Sequence, residues 1–367
     1  MGKSLPQQVR SALRAWLTPL SRPQKPQALV YLVGLLWIIR FRSLRACAQQ
    51  FGQQRFDRLQ HFVSQGATSA RALQHQTQQW LARLASGGAP LLVLDDTACR
   101  RDGPAIEGLG WHHSAQGLVR GVCVVTAMLK IGARRFVWAV RGYRPRKSCR
   151  REQFQSKIAL AAAIIGEAAE FFPRGGLTVL MDSWYACAQL LQAITTHGWT
   201  YVAALRSNRI VHAHGRKLNV RHLAKSRRDV TTVRVGRRRF RVSRHAVWLP
   251  KVGAVVVFVS RCGRETRGFV TNDASLSATQ FIRLYLQRAW IETLHRDLKQ
   301  HVGLGELFVR RWAAMERHWT LVALAYNLVV LWNGKRRRSF REAIRAFRAA
   351  VPSEQLLQFH NLLTSTK

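Results

Sequence analysis

Two short apolar runs in this chain end on aspartates. Leu91–Leu94 runs into Asp95-Asp96, and Leu177–Met181 runs into Asp182. Each run reads as a compact strand, and α/β sheets favour strand ends for ligand and metal sites. The plainer alternative is that an Asp after a strand starts a turn or caps a helix, as Asp182 would before Ser183. Around these runs the period of the sequence alternates. Val122–Ile131 and Arg135–Gly142 predict strands, Glu152–Phe172 a helix, Ala186–His197 a helix and Tyr201–Leu205 a strand. The order β-β-β-α-β-α-β belongs to the α/β class.

The flanking regions follow other patterns. Residues 1–85 read as helical, with Leu13, Trp16 and Leu17, then Leu32, Leu35, Leu36 and Ile39, at helical spacing. Ser43–Phe62 has the outline of a helix-turn-helix around Gly52, a pattern an ordinary helical hairpin shares. Ser86–Pro90 reads as a linker. Val230–Val235 and Arg239–Val242, joined through Gly236, predict a hairpin, and Val255–Val259 and Gly268–Thr271 further strands. Ser277 with Gln280 forms a capping box opening a long helix to about Val302. Ala313–Trp332 predicts an apolar helix, and Ser339 with Glu342 caps a last basic one.

Charge narrows the partners. The chain has 59 Lys+Arg against 18 Asp+Glu, a formal net charge of +41. Such a chain repels itself unless a polyanion screens it, and nucleic acid is the usual one. A membrane surface is the runner-up on charge, and the longest apolar runs, Ala28–Ile39 and Leu321–Trp332, fall short of the roughly 20 residues a span needs. Gln7, Gln8 and Arg10 interrupt any signal-like apolar region, and the six cysteines are scattered without metal-ligand spacing. These features predict a cytoplasmic, nucleoid-associated protein with no membrane partner.

Scarce acids make their positions informative. On the expected long helix, Tyr285, Arg288, Glu292 and Lys299 fall within about 60° of arc at 100° per residue. Trp290, Ile291, Leu294 and Leu298 make another face apolar. Arg288 and Glu292, at i,i+4, would form a surface ion pair if the stripe faced only solvent.

The spacing Tyr285-x2-Arg288-x3-Glu292-x6-Lys299 resembles the Y-(2)-R-(3)-E-(6)-K signature of bacterial insertion-sequence transposases. These are DDE cut-and-paste enzymes with a ribonuclease H-like catalytic core. Leu91–Arg101 (LLVLDDTACRR) resembles their first-aspartate strand, Val179–Tyr185 (VLMDSWY) their second, and Tyr201–Arg209 (YVAALRSNR) is also similar. The resemblance spans roughly residues 85–333. It implies a ribonuclease H-like core over 86–208 and 267–333, while residues 1–85, helical by spacing, are expected to form an N-terminal DNA-binding region. A basic β-rich insertion would fill 209–266, and beyond the resemblance residues 334–367 read as a basic helical tail.

The same resemblance implies Asp96, Asp182 and Glu292 as catalytic metal ligands, with Asp96 shared. Asp95 remains the alternative first acid, since neighbouring residues on a strand face opposite ways. Three carboxylates without His or Cys suit Mg²⁺ or Mn²⁺, two ions per site. Tyr285, Arg288 and Lys299 would hold phosphates, and the run Arg237-Arg238-Arg239 would track the DNA backbone. Trp290 and Trp184 would stack on an unpaired base or serve in the core. The expected partners are transposon ends and target DNA, with a homodimer in the synaptic complex. The expected activity is cleavage of transposon ends and their joining to target DNA. A silent, domesticated DNA-binding protein and a nuclease that never joins strands are the competing readings.

If the basic residues grip phosphates, affinity for duplex DNA falls steeply with salt. Fluorescence anisotropy with a labelled duplex from 50 to about 200 mM salt should show a loss of about 10³-fold or more. Salt-independent binding would contradict the assignment.

Overall fold

In a computed structural model, residues 5–364 are described except 40–41, 52–55, 67–68, 104, 115–116, 226–229, 264, 307, 335 and 337. Five helices come first: α1 (Gln7–Trp16), α2 (Gln24–Trp37), α3 (Leu44–Gln50), α4 (Phe56–Gln65) and α5 (Ala70–Ala85). Ser43 and Ser69 start α3 and α5 by accepting the N–H groups of Ala46 and Ala72. The turn at Gly52, which the helix-turn-helix outline needs, lies outside the described residues.

Next come β1 (Leu91–Arg100), β2 (Gly110–Ser114), β3 (Gly117–Ile131), β4 (Arg134–Tyr143), α6 (Lys157–Ala169), β5 (Thr178–Met181), α7 (Ala188–Thr196) and β6 (Thr200–Leu205). The expected order holds, with β2 as an unforeseen addition. The helix anticipated from Glu152 instead begins at Lys157, after a 3₁₀ turn at Arg151–Gln153. The β-rich stretch contains β7 (Ile210–Ala213), β8 (Arg216–Asn219), the short α8 (Val220–Leu223), β9 (Val230–Val235), β10 (Arg238–Leu249), β11 (Gly253–Cys262) and β12 (Glu265–Thr271). The chain closes with α9 (Ala278–Tyr285), α10 (Trp290–His301), α11 (Trp312–Asn333), α12 (Phe340–Ala350) and α13 (Ser353–Thr364). Both foreseen capping boxes form, at Ser277/Gln280 and Ser339/Glu342. No helix among the described residues is long and apolar enough to cross a membrane.

The contacts define two compact units. The first comprises Met1–Gly88, Asp96–Lys157 and Thr293–Lys367; the second comprises Ala89–Asp95 and Ile158–Glu292. Strand β1 therefore passes from one unit to the other between its two aspartates.

The first unit is built on α11, which is buried along nearly its whole length and packs on β4, α1, α2, α4, α5 and α12. Each large apolar side chain sealed this way contributes about 1.5–3 kcal/mol. Asn327, the polar residue inside that helix, lies against β4. Its Oδ1 accepts the Val137 N–H at 2.8 Å and its Nδ2 donates to the Val137 carbonyl at 2.9 Å. A side chain thus satisfies strand backbone that another strand would otherwise pair. Strand β3 pairs antiparallel with β2 and β4 and lies beside β1. Gly121 permits that approach, because a Cβ there would stand 2.0 Å from the Cys99 carbonyl oxygen.

The second unit is a mixed sheet. The start of β1 pairs in parallel with β5 from Leu91↔Thr178 to Leu94↔Met181, and β5 pairs in parallel with β6. The basic β stretch continues this sheet: β12 pairs antiparallel with β6, and β11 and β10 follow. The predicted hairpin around Gly236 is β9–β10, with Gly236 at φ +57°. Helix α9 lies on β6, β9 and β10, and Phe281 stacks on Phe258 at 4.3 Å.

His318 of α11 is fully enclosed. Tyr31 Oη donates to its Nδ1 at 2.7 Å, and its Nε2 donates to the Gly303 carbonyl at 3.0 Å. Burial lowers its pKa from 6.5 to about 4. The folded protein therefore refuses a proton that the unfolded chain accepts, so stability is full above pH 6.5 and falls as pH drops towards 4. Thermal melts between pH 7 and 4 should show a steeper decline for the native chain than for His318→Gln. Equal slopes would contradict this reading.

Candidate active site

In the second unit the acids gather around one arginine. Arg288 Nη1 donates to Asp95 Oδ2 at 3.0 Å, and its Nη2 donates to Glu292 Oε1 at 2.7 Å. The side chains of Arg288 and Asp95 are 17% and 18% exposed, whereas Glu292 is 63% exposed. The i,i+4 pair expected on a solvated face is thus buried at its arginine and open at its glutamate. Burial opposes the charge of Arg288, but Tyr285, Asp95, Glu292 and Asp182 together hold its pKa above the ordinary value. Removing the acids would strand a half-buried cation at a cost of several kcal/mol.

The helix carrying these groups is not continuous. Between α9 and α10, Leu286–Ala289 form a 3₁₀ turn. A 3₁₀ turn advances about 120° per residue, so the uniform 100° used to draw the stripe does not hold across it. Tyr285 ends α9 and is half-buried against Phe269, with ring centroids 4.5 Å apart. Burial raises the pKa of its hydroxyl. Arg288 lies inside the 3₁₀ turn, and Glu292 lies in the first turn of α10, where the helix dipole favours a carboxylate.

Asp182 follows β5. Its Oδ1 accepts the N–H groups of Trp184 at 2.9 Å and Tyr185 at 3.2 Å, which fixes the carboxylate over a tight turn. The turn role foreseen for this residue is therefore real, although α7 has its own N-cap at Cys187. Asp182 also borders a cavity of about 770 Å³ lined by Arg221, Lys225, Arg261, Arg267, Arg288 and Tyr285. Five cations beside one carboxylate suit a phosphate-rich ligand.

Asp96 lies in the first unit. Lys157 Nζ donates to its Oδ2 at 2.5 Å, and the Cys123 thiol donates to the same oxygen at 3.4 Å. Burial, then the nearby Asp96 charge, push the Cys123 thiol up, so it stays protonated. Burial works against the Lys157 charge, but Cys123 and Asp96 outweigh it and raise its pKa. Lys299, also in the first unit, donates from Nζ to the Ala98 carbonyl at 2.7 Å. The two aspartates of β1 thus have different cationic partners, Arg288 for Asp95 and Lys157 for Asp96, as opposite-facing neighbours on a strand should. Among the described residues, no three His, Cys, Asp or Glu side chains are grouped closely enough to hold a metal ion.

Arg237, Arg238 and Arg239 are exposed at the β9–β10 turn, with Arg238 lying 5.1 Å over the Phe240 ring. Trp290 is 43% exposed and Trp184 is 55% exposed, so neither serves in the core. Lys157 was not foreseen. It stands at the head of an Ala-rich helix, 61 residues from its partner, and nothing in its local pattern marks it.

A family model described as DDE superfamily endonuclease matches residues 15–247. That segment includes Asp95, Asp96 and Asp182 and ends before Glu292. No curated protein matches the chain. The match covers well over half the sequence, and the chain belongs to the DDE superfamily of endonucleases, whose substrate is DNA.

Proposed function

We propose that this protein is a DNA transposase that cleaves the ends of its element and joins them to target DNA. The observation that carries the reading is the bridge from Asp95 through Arg288 to Glu292. It ties the strand bearing the Asp95-Asp96 pair to the helix bearing the third acid. Asp96, Asp182 and Glu292 are the proposed metal ligands. The donor chemistry fits hard cations: the set is all carboxylate, and the Cys123 thiol beside Asp96 is held protonated. Two Mg²⁺ or Mn²⁺ ions, when bound, would activate the attacking oxygen and stabilise the leaving 3′-oxygen.

The chain's own residues have distinct tasks in this reading. Lys157 and Arg288 neutralise the acids and keep them oriented. Asp182 is aimed by the backbone N–H groups of Trp184 and Tyr185. Tyr285 and the cations of the neighbouring cavity would hold the phosphates flanking the cut, and Lys299 would do so from the far end of α10. The exposed Arg237-Arg238-Arg239 turn would follow the DNA backbone further out. The helices of residues 1–85 would contribute DNA binding, and a second copy would complete a synaptic complex.

A second reading exchanges the two aspartates of β1. Asp95 shares Arg288 with Glu292, which favours it as the first acid; in the first reading it only positions Arg288. Plasmid cleavage at the element's ends in Mg²⁺ separates the two. Glu292→Gln should lower cleavage by about 10³-fold, since lost metal binding removes several kcal/mol of transition-state stabilisation, while leaving DNA binding intact. Asp96→Asn should match it, and Asp95→Asn should lose only about tenfold. The reverse ranking assigns the first acid to Asp95. Normal cleavage by Glu292→Gln overturns the site.

A further inference from the structure

The seat of Lys157 is a poor one for a cation. Lys157 is the first residue of α6, where the partial positive charge of the helix end disfavours an ammonium. Its side chain is only 18% exposed, so the amine has lost most of its hydration. The Tyr143 ring, its centroid 5.5 Å from Nζ, attracts the ammonium weakly. The Cys123 thiol shares the Asp96 oxygen at 3.4 Å, but burial holds it protonated and it brings no charge. Among the described residues, Asp96 is thus the acid that keeps the amine there, through a contact of 2.5 Å to Oδ2.

The same oxygen belongs to a proposed metal ligand. An ammonium and a divalent cation cannot both bind it closely, because like charges at contact distance repel strongly where water is scarce. A divalent ion brings twice the charge to the carboxylate, and the flexible stem of a lysine lets its amine swing away. Resting on the proposed role of Asp96 as a metal ligand, we propose that Lys157 is a stand-in cation: it holds the Asp96 carboxylate in the metal-free protein and is expelled from Oδ2 when the divalent ion enters. Lys157 is then a positioning residue that acts through Asp96. It keeps the acid charged and oriented before metal arrives, and it raises the metal concentration that the site needs.

The test uses the full chain without DNA and reads metal binding, not cleavage. Electron paramagnetic resonance of free Mn²⁺ gives the affinity. Lys157→Met should bind Mn²⁺ about tenfold more tightly than the native chain, since a competing charge is gone. Lys157→Arg should bind like the native chain. A lysine that merely oriented Asp96 would give the opposite sign when lost. A second arm follows Lys157 in the native chain, so it does not depend on a variant folding. Brief acetylation with an N-hydroxysuccinimide ester, mapped by mass spectrometry, compares Lys157 with the exposed Lys217. Mn²⁺ should speed acetylation of Lys157 severalfold relative to Lys217. Unchanged or weaker Mn²⁺ binding in folded Lys157→Met would overturn the proposal, as would acetylation of Lys157 that ignores Mn²⁺. Failure of the underlying reading appears separately: Asp96→Asn should weaken Mn²⁺ binding, and native affinity in that variant would remove Asp96 from the ligands and the proposal with it.

Discussion

The half-buried guanidinium of Arg288 is the constraint on which the site depends. A cation at that depth is stable only with acids placed to meet it, and Asp95 and Glu292 do so from a strand and a helix nearly 200 positions apart in the sequence. Asp182 adds to the same field and borders the same cavity. In a chain with 18 acids and 59 basic residues, such a concentration of carboxylate is unusual. Through Arg288, Asp95 in the middle of β1 and Glu292 in the first turn of α10 are held together within this unit.

Around that bridge the backbone takes specific forms. The 3₁₀ turn at Leu286–Ala289 places Arg288 between two α-helices instead of within one. The Asp182 side chain is committed through one oxygen to the turn that follows β5. Gly121 lets β3 close on β1 just beyond Asp96, where Lys157 and Cys123 reach the second aspartate of the strand. Each feature positions a carboxylate: Arg288 meets Asp95 and Glu292, the turn N–H groups hold Asp182, and Lys157 meets Asp96.

Much of this was legible in the sequence because it is local. Apolar runs ending in Asp gave the parallel strands, and Ser277/Gln280 and Ser339/Glu342 gave helix starts. The spacing of Tyr285, Arg288 and Glu292 marked the acidic helix. What was hidden depends on partners distant in sequence. Nothing near Lys157 announces Asp96, and no local pattern tells that Arg288 chooses Asp95. A uniform 100° step across residues 277–302 does not register the 3₁₀ turn at Leu286–Ala289, which no local residue pattern marks. Gly268–Thr271, assigned to the core, pairs with β6, and the basic β-rich stretch joins the same sheet through β11, a pairing that composition does not show.

Asp182, Glu292 and one aspartate of the Asp95-Asp96 pair are the proposed ligands of the ions that cut DNA. Crystals of the full chain grown with Mn²⁺ and an oligonucleotide carrying the element's end would locate those ions directly by anomalous scattering. The account predicts Mn²⁺ peaks about 2.1 Å from oxygens of Asp182, Glu292 and one of the paired aspartates. Peaks elsewhere, with Arg288 still holding Glu292 and Asp182 unligated, would contradict it.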